Sequence, residues 1–161
     1  MTFYLKPLIG TETIKFGMAS NEIQSILKIT PTKHKHVYSK YEYENYRGVC
    51  NVYYEPADNG EMVAAAFQFF EFSPVYLDDI NLIGQEESYI KKVFVEKFSD
   101  CVCSPSLIES YQNRIVVDIN CEEKTYGVFI GIQGYDATMD ETYKPLSNEE
   151  AIAILRKQAS L

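Results

Sequence analysis

Apolar residues recur along this chain with two periods, and the switching between them lays out its elements. From Ser20 to Leu27, Ile23, Ile26 and Leu27 fall at i, i+3 and i+4 behind a serine able to cap, which predicts a short one-faced helix. After Pro31 the period drops to two. From Val37 to Tyr46, Tyr41 and Tyr43 share one face and Glu42 and Glu44 the other, as in a half-buried strand. Arg47-Gly48 is a hairpin turn into the strand Val49 to Glu55. Pro56 to Gly60 concentrates turn residues and leads into Met62 to Phe72, apolar at nearly every position and so predicted to be a central strand covered on both faces.

Pro74 closes that strand, and period 3.6 returns. From Gln85 to Phe98, Ile90, Val93, Phe94 and Phe98 form one stripe, with Glu86 and Glu87 in the first turn and lysines later, the order that the helix dipole favours. Three strands follow, Ser106 to Tyr111, Arg114 to Cys121 and Tyr126 to Gly134, joined by hairpin-length connections. An acidic loop, Tyr135 to Tyr143, precedes a terminal helix from Ser147, whose spacing to Glu150 is that of a capping box. The expected fold is therefore α+β within a single domain, residues 1–161. An antiparallel meandering sheet would carry about three helices packed mainly on one face, in the order α-βββ-α-βββ-α. The two halves match in spacing: Gly17-x5-Ile23-x2-Ile26-Leu27 against Gly84-x5-Ile90-x2-Val93-Phe94, as an internal duplication would leave.

Composition narrows the function. The chain of 161 residues has a formal charge of −8, unevenly placed: residues 1–60 hold seven Lys/Arg against six Asp/Glu, residues 61–161 eight against seventeen. Such a field repels phosphate backbones and attracts basic surfaces, so direct nucleic-acid binding is disfavoured and a cationic protein partner favoured. No apolar stretch is long enough to span a membrane and the first residues lack the pattern of a signal peptide, so a soluble cytoplasmic protein is expected. Cys50, Cys101, Cys103 and Cys121 are expected as reduced, core-facing thiols.

Candidate chemistry is sparse. The only histidines, His34 and His36, are interleaved with Lys33 and Lys35, which opposes a cation and predicts a solvated loop. Gly127, Gly131 and Gly134 lie along a predicted strand and not ahead of a helix, so they form no phosphate cradle. Their expected role is to let a backbone or ring approach closely. The acidic pairs Asp78-Asp79, Glu122-Glu123 and Asp140-Glu141 lie on loops, where adjacent carboxylates seldom face each other across a cleft, and Asp136 to Glu141 lacks calcium-loop spacing. No cofactor, metal or catalytic set is expected. What remains is recognition, for which 13 tyrosines supply buried area with a polar tip.

The segment Phe16-Gly17-Met18, a cap, then Glu22-Ile23-x-x-Ile26-Leu27 resembles the opening of small bacterial α+β proteins that include immunity proteins of polymorphic or contact-dependent growth-inhibition toxin systems. The resemblance implies a toxin-neutralising protein whose partner is a basic toxin domain, in our reading a nuclease. Our expected partner-binding residues are Asp78, Asp79, Glu122, Glu123, Tyr135, Asp136, Asp140, Glu141 and Tyr143. The alternative is a small-molecule-binding or enzymatic α+β domain with a cleft between sheet and helices. An exposed edge such as Ser106 to Tyr111 would serve strand addition, to a second copy in a homodimer or to the partner.

Overall fold

The computed structural model describes residues 1–36, 41–132 and 135. Eight strands form one antiparallel sheet: β3 (Thr32–Lys35), β4 (Glu42–Tyr46), β5 (Cys50–Pro56), β6 (Met62–Phe70), β9 (Cys101–Cys103), β10 (Leu107–Ser110), β11 (Ile115–Ile119) and β12 (Thr125–Gly131). Their spatial order is β3-β4-β5-β6-β12-β11-β10-β9. A second, four-stranded sheet has the order β2-β1-β7-β8, from β1 (Phe3–Lys6), β2 (Gly10–Thr11), β7 (Val75–Leu77) and β8 (Ile80–Asn81). Within it β1 and β7 run parallel. The helices are α1 (Ser20–Leu27) and α2 (Glu87–Lys97).

The expectation of one meandering sheet with three helices is corrected on both counts: the chain is mostly β, with two sheets, and has two helices among the described residues. The terminal helix expected from Ser147 lies outside those residues. The second sheet escaped sequence reading because its strands are two to four residues long, too short to display a period, and because β7 and β8 follow Pro74 closely. The large sheet is two meanders joined at β6 and β12, not one. The expected free edge is also corrected. Ser106 to Tyr111 contains β10, which is paired on both sides, and the outer strands are β3 and β9.

The two meanders repeat one another in detail. Gly17 and Gly84 both hold a positive φ, at 84° and 75°, and each helix begins three residues later. Ile23 and Leu27 are buried in α1, and Ile90 and Phe94 are their counterparts in α2. The Gly17 amide donates to the Ala64 carbonyl and the Ala64 amide to the Met18 carbonyl. Gly84, Thr125 and Gln85 make the same two bonds, all four between 2.7 and 2.9 Å. One residue bulges from the last strand of each unit: Ala65, between the partners of Tyr53 and Tyr54, and Tyr126, between those of Asp118 and Ile119. The spacing match in the sequence is thus the trace of an α-ββββ unit present twice, with the last strand of each, β6 and β12, paired at the centre of the sheet.

One face of the large sheet carries the main core. Val52, Phe67, Phe69, Ile108, Ile115, Val117, Val128 and Ile130 point to it, and Phe3, Ile14, Ile23, Val75, Leu82, Ile90 and Phe94 from the small sheet, the helices and the segments that join them close over them. A smaller cluster, Ala65, Ala66 and Tyr135 with Tyr53, Phe129 and Ile132 beside it, occupies the opposite face. The prediction that β6 is covered on both faces holds for this reason.

Candidate functional site

Strand β4 turns its glutamate face, not its Tyr43 face, toward the core. Glu44 is 4% exposed on the core side, while Tyr43 packs on the other face against Tyr53, ring centroids 5.3 Å apart. A carboxylate is tolerated inside only when its lone pairs are occupied, and here three hydroxyls occupy them. Ser20 Oγ lies 2.7 Å from Oε1 and 2.8 Å from Oε2, and the phenols of Tyr46 and Tyr54 donate to Oε2 at 2.9 and 2.6 Å. Burial pushes the Tyr46 phenol up to about 12 and raises that of Tyr54 further, so both keep the protons they donate. Ser20 is diverted from the capping role its position suggested. It is the first helical residue, Gln24 Nε2 donates to its oxygen at 2.8 Å, and the Glu22 side chain accepts instead from the amide of Ala19, the N-cap.

Above Glu44 opens a cavity of about 320 Å³ lined by Ser20, Lys33, Tyr41, Glu42, Glu44, Tyr54 and Met62. It lies where the start of α1 meets β3 to β6. The register that pairs Lys33 with Glu44 and Lys35 with Glu42 places the two lysines beside the two carboxylates on the same strand pair. The ion pairs among the described residues nevertheless do not include Glu44.

The expected partner-binding residues fall elsewhere. Asp78 and Asp79 form the exposed turn between β7 and β8, and Glu122 and Glu123 the exposed turn between β11 and β12. The fold brings these turns to the two ends of α2. The Glu87 amide donates to the Glu123 carbonyl at 2.8 Å at its start, and Lys97 pairs with Asp78 at its end. Tyr89 and Val95 are exposed on the helix between them. Over residues 78–79, 86–97 and 122–124 there are seven carboxylates against four lysines, so the strip is net acidic. Asn120 shapes the second turn, its side-chain oxygen accepting from the amides of Glu122 and Lys124, both at 3.0 Å. Asp78 and Glu123 both hold left-handed backbone, φ 52° and 59°, which a non-glycine residue adopts at a cost of about 1–2 kcal/mol.

Tyr135 does not join this strip. It is buried on the far face of the large sheet, with its carbonyl accepting from the Arg114 guanidinium, because Ala65, Ala66 and Gly131 leave room there for its ring. Asp136, Asp140, Glu141 and Tyr143 lie outside the described residues. Gly131 has the expected role, since a Cβ there would stand 3.4 Å from the Tyr135 ring. Gly127 makes room for the Asp118 carboxylate, which a Cβ would meet at 2.8 Å.

The histidines are not in a solvated loop. His34 lies on β3, bonded to Thr32 and stacked on Tyr43, and His36 packs edge-on against Tyr43 and Tyr53, with its pKa lowered by burial. Core-facing thiols are corrected as well: Cys50 is buried, but Cys103 and Cys121 are exposed and Cys101 is intermediate. The two sulfurs of β9 lie 3.8 Å apart because residues i and i+2 of a strand share a face. Among the described residues, no group of three or more His, Cys, Asp or Glu is placed to hold a metal ion, and no helix is long and apolar enough to cross a membrane.

Sequence reasoning missed the Glu44 constellation. Its only signal was a glutamate two positions before one tyrosine and ten before another, and nothing in that spacing distinguishes inside from outside. Neither the cavity nor the acidic strip has a counterpart to lend it a role: no family model matches the chain, and comparison with curated proteins and with solved structures finds no significant match.

Proposed function

We propose that this chain is a cytoplasmic immunity protein that binds a basic toxin domain, a nuclease in the favoured case, and covers its substrate-binding surface. The observation that carries the reading is the convergence of two acidic turns on the two ends of α2. Residues distant in sequence, Asp78-Asp79 and Glu122-Glu123, thereby lie at the two ends of one helix that also exposes Tyr89 and Val95.

The physics of such a strip suits a partner rich in lysine and arginine. Exposed carboxylates accelerate encounter and select the sign of the partner, and an aromatic and an aliphatic side chain at the middle supply desolvated contact. A nuclease must present cations to hold phosphate, so a mimic that offers carboxylates in their place competes for the same groups. Left-handed backbone at Asp78 and Glu123 fits a surface kept for binding at some expense of stability.

The test is co-expression with the toxin domain encoded beside this gene. A stoichiometric complex on size exclusion and survival of the co-expressing cells are expected. Charge reversal of all four turn carboxylates, to lysine, should weaken the complex at least tenfold with the thermal midpoint little changed. A complex that forms equally well with the reversed protein, or no complex and no protection, overturns the reading.

A further inference from the structure

The cavity above Glu44 plays no part in the partner surface, and its chemistry is specific. Glu44 is more than nine-tenths buried, and its two oxygens are served unequally. Oε2 accepts hydrogen bonds from the hydroxyls of Tyr46 and Tyr54, at 2.9 and 2.6 Å. Oε1 has only Ser20, whose single proton lies between both oxygens at 2.7 and 2.8 Å. An accepting lone pair is therefore left on Oε1. No cation among the described residues is within ion-pair distance of this carboxylate, although a buried charge without one is a costly arrangement to keep.

The rest of the lining completes the specification. Glu42 and Glu44 against Lys33 leave one net negative charge, which disfavours an anion and balances a single cation. The acceptors available are Oε1 of Glu44, the Tyr54 hydroxyl oxygen and the Glu42 carboxylate, and an ammonium donates three hydrogen bonds and accepts none. A metal ion fits poorly, because its shell needs several ligating groups and among the described residues no three His, Cys, Asp or Glu are placed to supply them. The Tyr41 and Tyr54 rings and the Met62 thioether offer an apolar wall with π faces, suited to an alkyl stem and to a cation over a ring. The volume of about 320 Å³ is at the lower end for ligand sites, so the occupant is small.

We propose that this cavity binds a small aliphatic amine as its monocation, with the ammonium on Glu44 and Tyr54 and the alkyl stem against Tyr41 and Met62. The inference is independent of the toxin-partner reading and stands or falls without it.

Titration with n-butylammonium tests it, with n-butanol and butyrate as matched neutral and anionic probes, followed by calorimetry and by the Met62 methyl resonance. Saturable binding of the amine alone, weakened by added salt, is expected. Glu44→Gln keeps the shape and removes the charge, and should lower affinity at least tenfold. Should that variant fail to fold, Met62→Lys decides the matter: Met62 is exposed at the rim, so the change leaves the core intact while seating a tethered ammonium at the mouth, and binding should vanish. Equal binding of butanol, undiminished binding by either folded variant, or no saturation with the amine would overturn the proposal, whether or not a toxin partner is found.

Discussion

At the scale of single residues the chain departs most from its own pattern at Glu44. Alternation along β4 cannot say which face is inside, and a glutamate that accepts hydrogen bonds from Ser20, Tyr46 and Tyr54 becomes an inward residue despite its charge. Tyr46→Phe and Tyr54→Phe should each cost about 1.5–3 kcal/mol, the usual worth of a hydrogen bond to a charged group, and Glu44→Ala more than either, measured by urea denaturation. A half-buried acid, Asp118, gives a pH signature. Burial raises the Asp118 carboxyl above its ordinary value, so the folded state holds that proton more tightly than the unfolded one. Its contribution is complete below the unfolded value and is lost as pH rises through the folded one. Asp118→Asn, neutral throughout, should therefore be more stable than the parent at neutral pH, and denaturation below the carboxylate range should show the difference closing. The cysteines separate by environment in the same way. Burial pushes the Cys50 thiol up to about 12, so a thiol reagent should modify Cys103 and Cys121 readily in the native protein and Cys50 only after unfolding.

At the scale of elements, what was legible was whatever repeats over enough residues to show a period. The α1 and α2 stripes, β5, β6, β10, β11 and β12 all stood out, because each spans several turns of its pattern or is bounded by Gly, Pro or Asn. β1, β2, β7, β8 and β9 did not, since their backbone bonds are made with partners far along the chain or across short turns and leave no local trace. The four acidic turn residues were visible as charges, but their assembly around α2 was not, for it depends on the Glu87 to Glu123 and Lys97 to Asp78 contacts between separate elements. The repeated unit makes a matched prediction. Gly17 and Gly84 hold left-handed backbone with open space where a Cβ would be, so alanine at either meets only the conformational penalty, about 1–2 kcal/mol. The two losses should be alike, and additive in the double variant if the units do not couple. Gly10 differs: there a Cβ would stand 2.8 Å from the Ile14 carbonyl oxygen, so Gly10→Ala should be the more damaging change. Glu123→Gly separates stability from function. Relief of its left-handed strain should raise the thermal midpoint, while loss of the carboxylate should weaken binding to the proposed basic partner.

At the scale of the whole molecule, a net charge of −8 biased toward the C-terminal hundred residues predicts association steered by a long-range field. The on-rate with a basic partner should fall steeply with ionic strength while the off-rate changes little, as stopped-flow fluorescence would resolve. The seam between β6 and β12 carries a consequence of another kind. During synthesis the first meander is complete once Phe70 has left the ribosome, yet the strand that covers its inner edge begins only at Thr125. At about 5–20 residues per second that interval lasts roughly 3–11 s, and throughout it the nascent chain offers a phenylalanine-rich strand with unsatisfied amides to any other chain nearby. Crowded polysomes making this protein are therefore where mispairing concentrates: the β12 of a neighbouring nascent chain can seat itself on the vacant edge and yield an exchanged dimer.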